Sequence, residues 1–292
     1  MRHGERYSGY EKKVRGNVLL RRIYRTRSSW SHKGNFGTVL IIGGSARLTG
    51  SPTFNAMAAL RAGADLAYLI GHPRAMDVAS QYAPDLITEP LKSEFIFSSV
   101  PHALRRAKGV DAVIIGGSLA RTPQTYQAIR NFLSRCVCPM SIDAEAIRAL
   151  GKNQKILSNK SAILTPHADE FYALTGERVL PTVGDRKEKV QRWAKKLGTV
   201  ILLKGSVDVV SDGTRTHLNR TGTAYMTKGG FGDTLAGICG AILARGIDPF
   251  NAACAAAYIN GKAGEYASKK YGEGTLASDI FKEIPKVPEQ GC

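Results

Sequence analysis

Short apolar runs rich in β-branched residues alternate along the chain with segments whose apolar residues recur at helical spacing. This alternation is typical of a parallel sheet whose strands are joined by crossover helices. Strands are predicted over residues 38–42, 66–70, 112–115, 140–142, 162–164 and 200–203. Two further runs, 207–211 and 215–218, flank Asp212-Gly213-Thr214 and predict a small β-hairpin.

Helices are predicted between the strands, because cap residues and prolines precede segments of helical periodicity. Their predicted starts are at Ser51-Pro52, at Thr122-Pro123, near Ala144, near Ala168, near Asp185 and at Asp248-Pro249. We therefore expect an α/β fold in which helices flank a mostly parallel central sheet.

The most informative helix start lies within residues 219–245, where a glycine-rich turn precedes an apolar helical face. The glycines are Gly229, Gly230 and Gly232. The face comprises Leu235, Ile238, Cys239, Ile242 and Leu243. Unpaired N–H groups and the positive end of the helix dipole favour phosphate at such a start, and glycines let it approach closely. A nucleotide phosphate is the expected ligand.

Asp233 stands at the start of this helix and has two interpretations. As an N-cap it would be an ordinary choice of residue. As a general base it would have a reason to lie in an anion site, where a carboxylate otherwise competes with phosphate. The string Gly-Gly-x-Gly-Asp alone does not decide between them.

Polar residues and glycine pairs directly follow five of the predicted strands. Ligands of open parallel sheets bind at the carboxyl ends of the strands, so these segments are expected to share one rim. They are Gly43-Gly44-Ser45, Gly116-Gly117-Ser118, Asp143, Thr165-Pro166-His167 and Lys204-Gly205. Each alone is an ordinary turn or an isolated polar residue. Together with the glycine-rich helix start they favour a functional site in which Asp233 is a base.

Length and composition add limits to this interpretation. With 292 residues and 43% hydrophobic content, the chain can bury one large core. No apolar run reaches the length of a membrane span and the N-terminus lacks the apolar centre of a secretion signal, so we expect a cytoplasmic protein without membrane contact. Five cysteines without a C-x-x-C pair argue against a disulfide framework or a zinc site, and Cys136 and Cys138 are one residue apart. Ordinary thiols in a reducing compartment are expected.

The net charge of +17 is unevenly distributed. Residues 1–33 hold ten Lys and Arg against Glu5 and Glu11, a net charge of +8. We therefore divide the chain into a basic N-terminal arm, 1–33, expected to be disordered or loosely docked, and a single α/β domain, 34–285. The remaining chain has no aromatic-interleaved basic pattern, so an enzyme that handles polyphosphates is favoured over a nucleic-acid binder.

Seven segments, each weak alone, form a specific set in this order. They are HKGNFGTVLIIGGS at 32–45, TGSP at 49–52, ALRAGADL at 59–66, DAEA at 143–146, LTPHADEF at 164–171, LLKG at 202–205 and TGTAYMTKGGFGDTLAG at 221–237. The set resembles the ADP/ATP-dependent NAD(P)H-hydrate dehydratase family, which has a ribokinase-like fold. The resemblance runs from about His32 to Asp279.

The resemblance implies the function, its ligands and its site. The implied reaction is the dehydration of hydrated NADH or NADPH, driven by ADP or ATP with Mg²⁺, in a homo-oligomer expected to be a tetramer. Asp233 is implied as the catalytic base. The implied nucleotide-binding residues are Lys204, Gly205, Ser206, Val207, Asp208, Gly229, Gly230 and Gly232. The implied substrate-binding residues are Ser51, Gly116, Gly117, Ser118, His167 and Asp233, while the metal ligands are not implied.

Three positions depart from the pattern of that family. Gly116-Gly117-Ser118 stands where the family usually has Gly-Pro-Gly. Thr223 stands where Asn is favoured, and Phe231 where a small hydroxyl residue is favoured. The departures affect the contacts expected for substrate and nucleotide and leave Asp233 unchanged.

The residues also suggest a reaction path. Hydroxide is a poor leaving group, so a nucleotide-coupled dehydratase is expected to phosphorylate the hydroxyl and then lose phosphate. Asp233 would remove the hydroxyl proton, and the glycine N–H groups would stabilise the transferring phosphoryl group. A small-molecule kinase with the same fold would use the same first step and keep the phosphate on its product. A non-catalytic nucleotide-binding or RNA-binding protein would explain the basic arm but gives Asp233 no role.

Overall fold

A nine-stranded sheet forms the centre of the described part of the chain. The computed structural model describes residues 18–151 and 153–291, and for 290 and 291 only the backbone. The strands are β1 (Thr38–Ile42), β2 (Leu66–Gly71), β3 (Ile87–Pro90), β4 (Ala112–Ile115), β5 (Met140–Ile142), β6 (Ala162–Leu164), β7 (Val200–Leu203), β8 (Asp208–Ser211) and β9 (Thr216–Asn219). Their order in the sheet is β3-β2-β1-β4-β5-β6-β7-β8-β9.

The predicted mostly parallel sheet is confirmed. Strands β1 to β7 pair in parallel, with Ile42 beside both Ile70 of β2 and Ile115 of β4. The predicted hairpin is also confirmed, because β8 runs antiparallel to β7 and β9 antiparallel to β8. Strand β3 was not predicted. It is a short, partly exposed edge strand that ends in Pro90, so it lacks the continuous apolar run of the other parallel strands.

Helices cover both faces of the sheet. The described chain opens with helical residues 18–23, called α1 here. The following helices are α2 (Gly50–Arg61), α3 (Pro73–Tyr82), α4 (Val100–Ala107), α5 (Pro123–Arg135), α6 (Ala144–Leu150), α7 (Ala168–Thr175), α8 (Val183–Leu197), α9 (Phe231–Ala244), α10 (Pro249–Tyr271) and α11 (Lys286–Gly291). The predicted starts at Pro52, Pro123, Ala144, Ala168 and Pro249 lie within one or two residues of these bounds.

The core is divided into two layers by the sheet. Successive side chains of a strand point to opposite faces, so Val39 and Ile41 of β1 join one layer and Leu40 and Ile42 join the other. The first layer contains α2, α9 and α10, and the second contains α4 to α8. Both faces of the parallel strands are thus buried, which explains their uninterrupted apolar sequences.

Helix α9 lies deep in the first layer. Eleven of its fourteen residues are buried, because it packs on the sheet and also against α2 and α10. A helix that is apolar on nearly every side is stable only in such surroundings. The burial fixes the direction and height of its N-terminus relative to the strand ends.

The described part of the basic arm docks on this layer. Leu20 and Ile23 are buried in it, and the Arg245 guanidinium donates to the carbonyl oxygen of Ile23 at 3.1 Å. Tyr24 donates to the carbonyl oxygen of Ala62 at 3.1 Å. The expectation of a loosely docked arm is therefore wrong for this segment, while residues 1–17 lie outside the described residues. Within the described part, no helix is long and apolar enough to cross a membrane.

The docking of the arm predicts a stability difference between two neighbouring apolar residues. Leu20 is 1% exposed and Val18 is 61% exposed. We expect Leu20→Ala to lower the free energy of unfolding by roughly 2–5 kcal/mol, because it leaves a cavity in the core. The matched control Val18→Ala should change it by less than about 0.5 kcal/mol. Urea titration followed by circular dichroism measures both, and equal effects would show that α1 does not dock.

Candidate functional site

The carboxyl ends of five neighbouring strands form one rim. Backbone hydrogen bonds continue past the strand ends, which holds the following residues side by side. They join Gly44 N to Gly117 O at 2.9 Å, Asp143 N to Ile115 O at 3.0 Å, Thr165 N to Ile142 O at 3.1 Å and Lys204 N to Pro166 O at 2.9 Å. The predicted convergence of five strand ends is confirmed, because β1, β4, β5, β6 and β7 are adjacent in the sheet.

Asp233 is held on this rim by the first turn of α9. Gly230 is the N-cap, with a φ of 101° that favours glycine, so Asp233 is the third residue of the helix. The alternative that Asp233 is the N-cap is therefore wrong. The side-chain amide of Asn55, from the buried face of α2, donates to the backbone carbonyl of Asp233 at 2.7 Å. Asn55 was missed by the sequence analysis, since nothing in its local pattern distinguishes it from a core position.

The Asp233 carboxylate lies among Ser51, Gly117 and Ser118. Ser51 forms a hydrogen bond with the carboxylate, and its hydroxyl oxygen is 2.7 Å from that of Ser118. A Cβ on Gly117 would lie 2.9 Å from Asp233 Oδ1 and 2.7 Å from Ser51 Cβ. Only glycine fits at this approach without a shift of its neighbours. Ser118 has a φ of 57°, a left-handed backbone conformation that is uncommon for a non-glycine residue.

The environment of Asp233 makes ionisation unfavourable. Burial, followed by the negative charge of Asp143, raises the pKa of Asp233 to about 7. The hydrogen bond from Ser51 and the charge of Lys204 lower it and only partly offset these effects. A carboxyl group with a pKa near neutrality can both accept and release a proton, which suits a general base.

Lys204 joins two buried carboxylates next to Asp233. Its ammonium nitrogen lies 2.9 Å from Asp143 Oδ1 and 3.7 Å from Glu170 Oε2. Burial lowers the pKa of Lys204, but the two carboxylates outweigh it and the net pKa is raised, so the group stays charged. Thr165 also donates to Asp143 Oδ1, at 2.7 Å. Glu170 was missed as a site residue, although it lies within the segment LTPHADEF.

A cavity of about 580 Å³ opens beside Lys204. Its size lies within the range of small-molecule sites. Of the predicted nucleotide-binding residues, those that line it are Lys204, Gly205, Ser206, Asp208 and Gly232. The lining does not include Val207, Gly229 or Gly230. Asp208 has a structural contact as well, because its Oδ1 accepts from the backbone N–H of Gly205 at 3.0 Å and so closes the loop after β7.

His167 lies in this cavity and caps α7. Its Nδ1 accepts from the backbone N–H groups of Asp169 at 3.1 Å and Glu170 at 3.4 Å. The proton is therefore assigned to Nε2, which lies 3.3 Å from Glu170 Oε1. The predicted substrate residues are thus divided between two places. Ser51, Gly117 and Ser118 surround Asp233, with Gly116 next in the chain, whereas His167 faces the cavity that holds the predicted nucleotide residues.

The departures at Thr223 and Phe231 also lie in the cavity wall. Both residues line it, and the Thr223 hydroxyl contacts that of Ser268 at 3.0 Å. Phe231 is 5% exposed and packs in the core, so only a small part of it faces the cavity.

The profile of the NAD(P)H-hydrate dehydratase family matches residues 39–286. The chain belongs to this family. It is 40% identical over 265 residues to the bifunctional NAD(P)H-hydrate repair enzyme Nnr of Pyrobaculum aerophilum, a match that covers 90% of this chain and 52% of that protein. The chain spans about half the length of this and three other curated relatives of the same name.

A relative of similar length and a solved structure extend this comparison. The chain is 38% identical over 280 residues to the ADP-dependent (S)-NAD(P)H-hydrate dehydratase of Cenarchaeum symbiosum, covering 93% of this chain and 95% of that protein. It superposes with a TM-score of 0.80 and 27% identity on the ADP/ATP-dependent NAD(P)H-hydrate dehydratase of Bacillus subtilis, co-crystallised with ATP and Mg²⁺, covering 94% and 97% of the two chains. A ribokinase-like superfamily protein of Enterococcus faecalis, 24% identical with a TM-score of 0.82 over 94% and 95% of the two chains, confirms the predicted fold.

The packing around Asp233 predicts the effect of a single methyl group. Gly117→Ala should lower the free energy of unfolding by about 1–3 kcal/mol, because the new methyl group overlaps Ser51 and Asp233. Gly184→Ala is the matched control, since a Cβ there meets nothing within 4 Å in the first turn of α8. The control should be neutral or slightly stabilising. Chemical unfolding measures both variants, and an equal response would contradict the close approach of Gly117 to Asp233.

Proposed function

We propose that the protein removes water from hydrated NADH or NADPH and that an adenine nucleotide drives the reaction. Family membership supports the reaction class. The observation that carries the proposal is the Asp233 carboxyl group, with its pKa near 7, at the N-terminus of α9 and next to a nucleotide-sized cavity. We propose ADP as the nucleotide, since relatives that match over nearly their whole length are named ADP-dependent.

The proposed reaction begins at the hydroxyl group of the hydrated nicotinamide ring. Asp233 takes the hydroxyl proton while the oxygen attacks the terminal phosphoryl group of the nucleotide. Backbone N–H groups at the start of α9 stabilise the negative charge on that phosphoryl group. The ring nitrogen then expels the phosphate, and the neighbouring ring carbon loses a proton to form the ring double bond. The products are NADH or NADPH, free phosphate and the shortened nucleotide in equal amounts.

The charged groups of the rim have separate proposed tasks. Lys204 keeps its positive charge because Asp143 and Glu170 face it, so it can attract the nucleotide phosphates at the cavity mouth. Asp143 raises the pKa of Asp233 and holds Lys204 in place. We propose that Ser51, Gly117 and Ser118 position the hydrated ring next to Asp233, since they surround its carboxylate.

The described residues fit a magnesium ion that is bound mainly by the nucleotide. Within residues 18–151 and 153–291 no cluster of three or more His, Cys, Asp or Glu side chains could hold a metal. Mg²⁺ typically keeps several waters and uses one or two carboxylates with phosphate oxygens, so such a cluster is not needed. When bound, the ion would neutralise charge on the phosphates.

A small-molecule kinase is the second candidate, because it shares the fold and the first chemical step. Hydroxyethylthiazole kinase of Pyrococcus horikoshii superposes with a TM-score of 0.66 at 19% identity over 94% of each chain, which supports the fold alone. The two functions differ in the fate of the transferred phosphate. A kinase leaves it on the product, whereas the dehydratase releases it as free phosphate. We retain the dehydratase, since the family profile and the 38% identical relative both carry that name.

Three further features stay proposals. We propose a cytoplasmic enzyme that acts as a homo-oligomer, with a tetramer as the expected form. Light scattering of the full chain tests the oligomeric state. The boundary between the arm at 1–33 and the domain at 34–285 also stays a prediction, although the docked residues 18–27 already contact the domain.

The activity assay follows absorbance at 340 nm. Hydrated NADH with ADP and Mg²⁺ should regain this absorbance with wild-type protein. Asp233→Asn should lower kcat by at least about 100-fold while it still binds nucleotide, because the amide cannot accept the proton. Asp77→Asn, an exposed residue of α3, is the matched control and should retain full activity.

Two results would contradict this assignment. Retention of more than about a tenth of wild-type kcat in Asp233→Asn would exclude Asp233 as the base. Phosphate that stays esterified to a small alcohol in ³¹P NMR, with no activity on hydrated NADH, would identify a kinase.

The pKa of Asp233 predicts the pH dependence of the reaction. Only the ionised carboxylate acts as the base, so kcat/KM should rise with pH and level off above about 7. Asp143→Asn removes a negative charge that raises this pKa, so the midpoint should move to lower pH. Asp77 is exposed on α3 and is not among the groups that act on this pKa, so Asp77→Asn should leave the midpoint unchanged. A midpoint that does not respond to Asp143→Asn would show that another group limits the rate.

A further inference from the structure

A second cavity, of about 340 Å³, lies near the amino ends of the parallel strands, opposite to the rim that carries Asp233. Its lining includes Cys136 and Cys138, which immediately precede β5 and therefore lie at the amino ends of the parallel strands. The rest of the lining comes chiefly from α4 and the end of α5. The proposed dehydratase site uses none of these residues.

The two cysteines line the same cavity. Cys136 lies at the C-terminal cap of α5 in an extended conformation, with φ −70° and ψ 132°. The intervening Val137 is 88% exposed, whereas both cysteines are more buried, so the two cysteine side chains lie on the same side of the chain. The Cys138 thiol donates to the Ala107 carbonyl at 2.9 Å. Cys136 is buried and Cys138 is partly exposed.

Three cations surround the mouth of the cavity. Arg105 and Lys108, at the C-terminal end of α4, and Arg135, the last residue of α5, all line it. Arg105 and Lys108 are exposed to solvent, so both can meet an incoming ligand. Asp111 is the acidic group that acts on Cys138, and it is outnumbered by these cations. The mouth therefore favours an anionic ligand.

We propose that Cys136 and Cys138 form a thiol–disulfide exchange site for anionic low-molecular-weight disulfides. The partly exposed Cys138 is the attacking residue, and the buried Cys136 is the resolving residue. Arg105, Lys108 and Arg135 attract negatively charged disulfides and repel positively charged ones. In a reducing compartment such a bond forms transiently, as redox-sensitive pairs do.

The exchange is balanced in two steps. The Cys138 thiolate attacks one sulfur of the disulfide R–S–S–R, which forms a mixed disulfide and releases one thiolate. The Cys136 thiol then loses its proton and attacks the Cys138 sulfur, which forms the Cys136–Cys138 disulfide and releases the second thiolate. Two electrons pass from the protein dithiol to the disulfide. The two released thiolates take up the two protons lost by the cysteines.

The electrostatic influence of each thiol on the other also supports the order of attack. The Cys136 thiol lowers the pKa of Cys138 to about 7, although burial and Asp111 oppose this effect. The Cys138 thiol and burial raise the pKa of Cys136. A thiol with a pKa near ambient pH is the best attacking group in exchange. Cys138 is also the more exposed of the two thiols, which agrees with its assignment as the attacking residue.

The test compares disulfides of opposite charge. The full chain carrying Cys292→Ser is mixed at neutral pH with oxidised glutathione, which is anionic, or with cystamine, which is cationic. Intact mass and peptide mapping should show a Cys136–Cys138 disulfide, formed faster with oxidised glutathione. Cys136→Ser should stop at the mixed disulfide on Cys138, and Cys138→Ser should not react.

The charge of the mouth is tested by a matched pair of double variants. Arg105→Gln with Lys108→Gln should slow exchange with oxidised glutathione by about tenfold and should not slow exchange with cystamine. Lys195→Gln with Lys269→Gln removes the same charge from exposed positions outside the cavity and should behave as wild type. The proposal is overturned if no Cys136–Cys138 disulfide forms, or if both double variants respond equally.

Discussion

Three carboxylates, those of Asp143, Glu170 and Asp233, share the influence of a single ammonium group at the rim of the sheet. Lys204 pairs directly with Asp143 at 2.9 Å and reaches Asp233 only through its electrostatic field. Asp233 is therefore left in buried surroundings with a negative neighbour, and its pKa is raised to about 7. A carboxyl group with a raised pKa in the folded state lowers the free energy of unfolding once the pH is high enough to ionise it, by about 1.4 kcal/mol for each pKa unit. The arrangement is explained if the same carboxyl group acts as the base.

The rest of the fold keeps this carboxyl group in position. Helix α9 is buried by the sheet, α2 and α10, so its first turn cannot move without disturbing the core. Asn55 fixes the backbone at Asp233, and Gly117 allows the end of β4 to lie against the carboxylate. The docked helix α1 strengthens the same layer, because Leu20 and Ile23 pack into it. Stability of the core and geometry of the site thus depend on the same contacts.

The sequence predicted those elements whose pattern is set by burial. The parallel strands were recognised because both of their faces are buried, and α9 because its apolar face follows a glycine-rich turn. The edge strand β3 and the helix α3 were missed, since β3 is partly exposed and α3 is capped by His72, an uncommon N-cap. The docking of α1 was missed because arginines dominate the segment, although Leu19, Leu20, Ile23 and Tyr24 are spaced as on a helix.

The sequence predicted which strand ends carry the candidate site, but not which of its side chains contact each other. Parallel topology brings Asp143, His167 and Lys204 to one rim, and the sequence shows each of them after a strand. The contact between Ser51 and Ser118 joins residues 67 positions apart, and no local pattern encodes it. The separation of His167 from Ser51 and Gly117 likewise follows from the order of β6, β5 and β4 across the sheet.

The central claim is that the fold holds Asp233 in an environment that opposes its charge. The most direct test is the free energy of unfolding of wild type and Asp233→Asn between pH 4 and pH 8. The carboxyl group has a pKa of about 7 when folded and an ordinary value of 3.8, so rising pH removes its proton first from the unfolded chain and destabilises the wild type. Asp233→Asn should therefore be more stable than wild type by roughly 2–4 kcal/mol at pH 8, with a difference that vanishes towards pH 4. Equal stability at both pH values, or a more stable wild type at pH 8, would contradict the account.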